Sequence, residues 1–368
     1  MKKLNTVTII LLVLMLLLPV MAGACKTTEP TTPTTPSTPT TPATPAEPAA
    51  EPVELKFAHM FPPPSPEGQV SDKWAEKIGQ DSNGLLTVRV YGGSTLVTAP
   101  EMIIGTKDGV TDIGYAFVYK PEGREISASL PFIMSASTTK TATQVLDDLW
   151  KQFPDLYQSE WEREVKVLWM TSASPQTLFT RTQKIGSAAD VKGLQIRVPS
   201  QELGAFIEKL GGTPVYMSTA DLAVALEKKT VDGCINMYSA GQAYKLTMLK
   251  HSVKLQTFAL GEPTPVFVVM NWDAWNNLQP DQQKVITDSL EWGKQLSVDT
   301  WTGLEQAGLE YFESIDGEYD TLSAAEEAKW LSYYNEVKAD AMAKLDAKGL
   351  PGTEVLNFIN ERVAAYEK

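Results

Sequence analysis

The sequence predicts an α/β fold made of two doubly wound units braced by one long helix. Three observations carry this. Apolar-alternating and helical segments run β-α-β-α-β from Val53 to Val118, the order of a mostly parallel sheet. A second set of the same kind begins near residue 165. The stretch from Asp281 to about Ile315 holds no proline, and at ~1.5 Å per residue it makes a helix on the order of 50 Å long, enough to lie across both units. At 368 residues the chain is too long for one compact core and suits two domains.

In chain order, "VELKFAH" (53–59) alternates and reads as the first strand. "VSDKWAEKIGQDSNG" reads as a helix ending near Gly84, and "LLTVRVYGG" (85–93) as a strand closed by a Gly pair. "TAPEMIIGTKDG" is a short helix with Pro100 suited to its first turn. "VTDIGYAFV" (110–118) is the third strand. In the second set, "VKVLWM" (165–170) and "TLFTRT" (177–182) read as strands, and a helical turn at "SAADVKG" leads into the strand around Arg197. Leu203, Phe206, Ile207 and Leu210 have helical spacing, stopped by Gly211 and Gly212. "STADLAVALEKKTVDG" opens on a Ser218–Asp221 cap. "CINMYS" and "SVKLQTFAL" read as strands, and the apolar "PVFVVMN" (265–271) as a strand returning to the first sheet.

Ahead of this body, Lys2 and Lys3 precede an apolar run from Val7 to Val20 and then small residues, the pattern of a secretory signal peptide. The run is shorter than the ~20 residues a membrane span wants. "Ala22-Gly23-Ala24-Cys25" resembles a lipobox, with Ala22 in place of the usual Leu, and Cys25 is expected as the acylated first residue of the mature chain. The alternative is ordinary signal-peptidase cleavage nearby. From Cys25 to Pro52 the chain is mostly Thr, Pro, Ala and Glu, with Pro at 30, 33, 36, 39, 42, 45 and 48. A proline every third residue suits polyproline II, a spacer on the order of 80 Å if fully stretched.

Acids number 45 against 32 Lys and Arg, a net charge of −13. With no basic stripe, nucleic acid is not an expected partner, since counterion release needs clustered cations. Enzyme chemistry finds little support. His59 and His251 are far apart, and Cys234, the one thiol of the folded body, lies in an apolar strand, where a cysteine is commonly a small buried hydrophobe. There is no GxSxG, no Walker loop, no GxGxxG after a strand and no zinc-spaced Cys/His set.

Arg197 stands apart. In "KGLQIRVPS" Leu194, Ile196 and Val198 share one strand face, while Gln195 and Arg197 share the other. Arg197 sits near a strand's carboxyl end, where open α/β sheets bind ligands, and its planar fork matches a carboxylate. On the residues alone, a structural ion pair with one of the acids remains the alternative.

Several segments together resemble the substrate-binding proteins of TRAP transporters, the DctP-like family: "AADVKGLQIRVPS", "LGGTPVYMSTADLAVALEKKTVDGCIN" and "PVFVVMNWDAWNNLQPDQQKVI", with "YGGSTL" and "KDGVTDIG" in the first unit. The resemblance runs from about Val53 to the C-terminus. It implies a two-lobed, periplasmic-binding-protein-like clamshell outside the cytoplasm, with the long helix spanning both lobes. The corresponding division is a signal peptide at 1–24, a tether at 25–52, lobe I at 53–174 plus 263–302, and lobe II at 175–262 plus 303–368. It implies binding rather than catalysis, small organic acids as ligands, and the membrane subunits of a TRAP transporter as partners. Arg197 matches the family's carboxylate-holding Arg, Asn236 stands in the "V-D-G-x-x-N" segment, and Tyr238 is expected on the same strand end.

One departure bears on the ligand. Sialic-acid and C4-dicarboxylate members carry a further Arg where this chain has Thr177, and Lys184 replaces a usual Pro. Arg181 shares Thr177's face by alternation and is a candidate substitute. The departure favours a monocarboxylate, such as a 2-oxo, hydroxy or aromatic acid. Some members bind the acid with Na⁺ or Ca²⁺; Cys234 and Ile235 are poor oxygen donors, and the sequence assigns no metal and no other cofactor. Strand ends supply further candidates: His59 and Phe61 after the first strand, Tyr115 and Phe117 on the third, and Tyr216 with Met217. For each, core packing is the alternative. Two other function classes remain: a ligand-sensing accessory clamshell for a membrane receptor, which would lack neighbouring transporter genes, and an α/β hydrolase, which would turn over esters.

Overall fold

The computed structural model describes residues 51–63, 65–119, 122–256, 260 and 264–368. The signal peptide, Cys25 and all but the last two residues of the tether lie outside them. Strand β1 (Val53–His59) leads into helix α1 (Pro66–Asp81), β2 (Leu86–Tyr91), α2 (Met102–Lys107) and β3 (Ile113–Ala116). Three helices follow, α3 (Glu125–Ile133), α4 (Thr139–Gln152) and α5 (Pro154–Tyr157), then β4 (Lys166–Ser172) and β5 (Thr177–Thr180). Next come β6 (Gln195–Val198), α6 (Gln201–Lys209), β7 (Thr213–Tyr216), α7 (Thr219–Glu227), β8 (Gly233–Asn236), α8 (Tyr238–Ala243) and β9 (His251–Lys254). The chain ends with β10 (Pro265–Met270), α9 (Trp272–Asn276), α10 (Pro280–Ser314), β11 (Glu318–Thr321), α11 (Ala324–Asp346) and α12 (Gly352–Tyr366).

These strands make two sheets, ordered β2-β1-β3-β10-β4 and β11-β9-β5-β8-β6-β7. In the first, β1 is parallel to β2 and β3, while β10 is antiparallel to β3 and β4. All six residues of β10 are buried, as befits a strand covered on both faces. In the second, β6 is parallel to β7 and β8, and β5 is antiparallel to β8 and β9. The chain passes from one sheet to the other at residues 173–176 and returns before β10. The two passages touch, with the Ala173 N–H donating to the Thr264 carbonyl (2.9 Å).

Serines open α6 and α7, the second at the Ser218 cap the sequence predicts. Ser200 accepts from the Leu203 N–H and Ser218 from the Asp221 N–H, both at 3.3 Å. Three elements differ from the sequence reading. Helices α3 and α4 had no place in the sequence reading; threonine-rich "TKTAT" is poor helix material, but Ala142, Val145, Leu146 and Leu149 make a buried stripe that overrides it. Strand β8 stops at Asn236, and Tyr238 opens α8 instead of extending the strand. Of the strand expected over 252–260, residues 257–259 lie outside the described residues, and the described strand is His251–Lys254.

Helix α10 is 35 residues long, about 52 Å. Its first half packs on α1, α4 and β4, its second half on α8. Two glycines permit this. A Cβ on Gly293 would stand 2.9 Å from the Trp74 ring, and one on Gly308 only 2.3 Å from the Ser239 nitrogen. Helix α11 packs on both α6 and α3, and α12 on α4, so the C-terminal segment, expected with lobe II, also lies against helices of the first lobe.

Gly308 and Gly303 test this seating. Gly308→Ala drives a methyl into backbone and should cost about 1–3 kcal/mol. Gly303, with open space where its Cβ would be, should gain stability by up to about 1 kcal/mol as Ala. Chemical denaturation of both variants checks the contrast; equal effects would mean that α10 does not depend on the close approach at Gly308.

Candidate functional site

The carboxyl ends of parallel β6, β7 and β8 share one edge of the second sheet. Thr177 starts antiparallel β5 opposite Asn236, and Arg197 pairs with Cys234, two residues before Asn236. Thr177, Arg197 and Asn236 therefore stand on one face at one end of the sheet. The Arg197 side chain is 5% exposed. Its Nε donates to the Met217 carbonyl and one terminal nitrogen to the Ile235 carbonyl, both at 3.0 Å. Carbonyls of two neighbouring chain segments thus fix the direction of the guanidinium plane.

Asn236 is 4% exposed. Its Oδ1 accepts from the Met237 N–H (2.9 Å), while its Nδ2 is buried with no hydrogen-bond partner. A buried amide donor left this way costs about 1–3 kcal/mol, so the position favours an incoming acceptor. Thr177 is at the right end, but its hydroxyl donates to the Val253 carbonyl (2.6 Å).

The first sheet contributes an aromatic group. Phe61 lies edge-on to Tyr115 (5.0 Å), Phe117 (6.2 Å) and Trp301 of α10 (6.2 Å). Met237, next to Asn236, packs against the same cluster, which brings the β8 end of the second sheet onto the first. Tyr119 follows Phe117 (6.2 Å between rings) and hydrogen-bonds the Met60 sulfur (3.4 Å). Burial, and next the Tyr244 hydroxyl from the second sheet's side, push the Tyr119 hydroxyl pKa up.

Five expected residues are elsewhere. Arg181 has Thr177's face but the wrong end, because β5 runs antiparallel and carries it away from Asn236, beside Asp232. Tyr216 pairs with Val198, hence on the face opposite Arg197, and its hydroxyl lies against Gly204 of α6. Tyr238 turns inward, stacking edge-on with Phe179 (4.9 Å) and bonding Ser252 (2.5 Å). Tyr115 is fully buried, with its hydroxyl between Ser297 (3.1 Å) and Trp301 (3.3 Å). His59 is wedged under Gly68 and Gly92, and burial lowers its pKa.

The sequence reading also missed residues. The Met217 carbonyl acts through backbone and leaves no side-chain signal. Tyr244 follows α8, a helix the sequence reading did not place and whose first two residues it read as strand. Glu305 sits on α10 among many surface acids, yet burial raises its pKa to about 7. Among the described residues no group of three or more His, Cys, Asp or Glu side chains is gathered for a metal ion.

A model of the family described as bacterial extracellular solute-binding protein, family 7 (DctP), matches residues 57–345. A solute-binding protein of Chromohalobacter salexigens is 25% identical over 186 residues, 49% of this chain and 54% of that protein, so the match spans about half of it. The C4-dicarboxylate-binding periplasmic protein DctP of Rhodobacter capsulatus is 24% identical over 316 residues, covering 81% of this chain and 89% of that one. Among solved structures, a marine-metagenome TRAP solute binding protein specific for aromatic acid ligands, in complex with metahydroxyphenylacetate, superposes with a TM-score of 0.76. It is 25% identical, covering 86% of this chain and all of that one. The two-sheet architecture is thus that of the TRAP clamshell.

Cys234 tests the interior behind Arg197. Burial pushes its thiol up to about 12, against the pull of the neighbouring Arg197 charge, and only the thiolate is nucleophilic. Iodoacetamide at neutral pH should leave native Cys234 unmodified by mass spectrometry and alkylate it once urea unfolds the chain. Rapid labelling of the native protein would mean that this face is open.

Proposed function

The chain belongs to the bacterial extracellular solute-binding proteins of family 7, the DctP family of TRAP transporters, and we propose that it captures a small monocarboxylate with an apolar, ring-bearing body. Members of this family are solute-binding proteins that work outside the cytoplasm. The observation that carries the ligand reading is the buried Arg197 guanidinium, aimed by the Met217 and Ile235 carbonyls beside the orphaned Asn236 amide. A carboxylate fits both: charge to the guanidinium, an oxygen to the amide. The displacement of Arg181 to the far end of β5 removes the candidate second cation, which argues for one carboxylate over two. Phe61, Phe117 and Tyr119 favour a flat apolar body, in keeping with the aromatic-acid relative.

In this reading the lobes close over the acid, and the loaded clamshell delivers it to the membrane subunits. Acylation at Cys25 and a tethering role for residues 25–52 belong to the same proposal and rest on the sequence of that segment.

A thermal-shift panel decides the ligand class. Benzoate, 3-hydroxyphenylacetate, 2-oxo acids, C4-dicarboxylates and neutral sugars would each be tried with and without Na⁺ and Ca²⁺. A true ligand at 100 times its dissociation constant adds about 2.7 kcal/mol of apparent stability. Monocarboxylates should shift the protein. Arg197→Ala should abolish the shift, and Arg197→Lys should weaken binding about tenfold or more, because the fork is lost. Stabilisation by sugars alone, or an unaltered Arg197→Ala, would remove the assigned role.

A further inference from the structure

Glu305 lies on α10 one turn before Gly308, the residue seated against the Tyr238–Ser239 backbone. Its side chain therefore sits where three pieces meet: α10, the start of α8 just past Asn236, and the passage between the sheets, where Ser174 hydrogen-bonds it. Its Oε2 is buried with no hydrogen-bond partner. An anionic oxygen there would be desolvated without compensation.

Ser174, whose hydroxyl also lies 3.0 Å from the Trp301 carbonyl, stands beside the carboxyl and offsets part of that cost, but burial outweighs it.

We propose that closure of the cleft takes up a proton at Glu305, so that capture of the organic acid is proton-linked. The consequence for capture rests on the function proposed above, whereas the hinge coupling does not. Rotation about residues 173–176 changes how far water reaches Oε2. Open, the carboxyl is hydrated and ionises in the ordinary carboxylate range; closed, it keeps its proton to higher pH. Burial holds it at about 7 in this arrangement. The sign follows: a raised pKa favours the closed form at low pH, and the advantage fades as pH rises through about 7. The groups facing Glu305 are Tyr238 from α8 and Tyr319 from β11, with Glu313 farther along α10 facing both tyrosines. Burial pushes both hydroxyls up, Tyr319 to about 12, so they stay neutral. The Tyr319 hydroxyl donates to Glu313 (3.1 Å). His251, on the opposite face of β9 from Ser252, is held by Asp320 (3.2 Å).

Small-angle scattering of the ligand-free protein tests the hinge without any ligand. At about pH 5.5 the radius of gyration should be smaller than at about pH 8.5. Glu305→Gln, neutral and able to donate to Ser174, should be small at both. A pH response that survives Glu305→Gln, or no response in the natural protein, overturns the proposal. Calorimetry with 3-hydroxyphenylacetate in two buffers of different ionisation heat tests the linkage. Proton uptake on binding should vanish in Glu305→Gln, and affinity should change up to tenfold per unit of pKa change on closure, about 1.4 kcal/mol. Binding without proton uptake overturns the linkage and leaves capture standing. A Glu305-dependent scattering change with no acid bound supports the hinge and counts against capture.

Discussion

One rigid helix has to lie on two separate sheets at once, and most of the architecture follows from that. Helix α10 meets the first sheet's layer at Gly293, against Trp74 and Trp169, and the second at Gly308, against the first turn of α8. The contacts are fifteen residues apart, roughly 22 Å along the axis. Both are too close for a side chain, so the helix acts as a rod with two seats. Between the seats it presents Ser297 to Tyr115 and Thr171 (3.1 and 2.9 Å), Trp301 to Phe61, and Glu305 to Ser174. The floor between the sheets is thus built from the element that bends least. The short passages of chain between the sheets cross over it and touch each other at Ala173 and Thr264.

The polar side of the candidate cleft obeys a second constraint. A guanidinium withdrawn from water is tolerated only where oxygens surround it. Here the Met217 and Ile235 carbonyls do this. They are dipoles belonging to the fold, so they orient the fork without cancelling its charge as a carboxylate side chain would. In the function proposed above, this aim is what would present Arg197 to a bound acid.

How much of this was legible in the sequence depended on the kind of signal. Period and punctuation read well: the proline-free run of α10, the unbroken apolar strand β10, and the Ser218 cap were visible because each is a local pattern with a local cause. Alternation assigned faces correctly, for Arg197 and even for Arg181. It could not assign ends, because strand direction is a property of the sheet; antiparallel β5 carries Arg181 away from Asn236. Aromatic residues at strand ends were ambiguous for another reason. Phe61 and Tyr115 touch at 5.0 Å, yet a hydroxyl satisfied by Ser297 and Trp301 makes Tyr115 a core residue. Those partners lie far along the chain on α10.

The groups least legible from sequence are those the fold leaves unsatisfied. Asn236 Nδ2 and Glu305 Oε2 are both buried without hydrogen-bond partners, and both flank the passage where the sheets meet. A core is selected to avoid such atoms, since each costs about 1–3 kcal/mol. A binding cleft has reason to keep them, because a ligand or a proton that satisfies them then favours one arrangement of the lobes over another. The Asn236 amide asks for an acceptor and the Glu305 oxygen for a hydrogen. In the readings proposed above, an organic acid would supply the first and a proton the second. The two deficits lie on either side of Tyr238 and the Gly308 seat, where α8, α10 and the crossing segment meet.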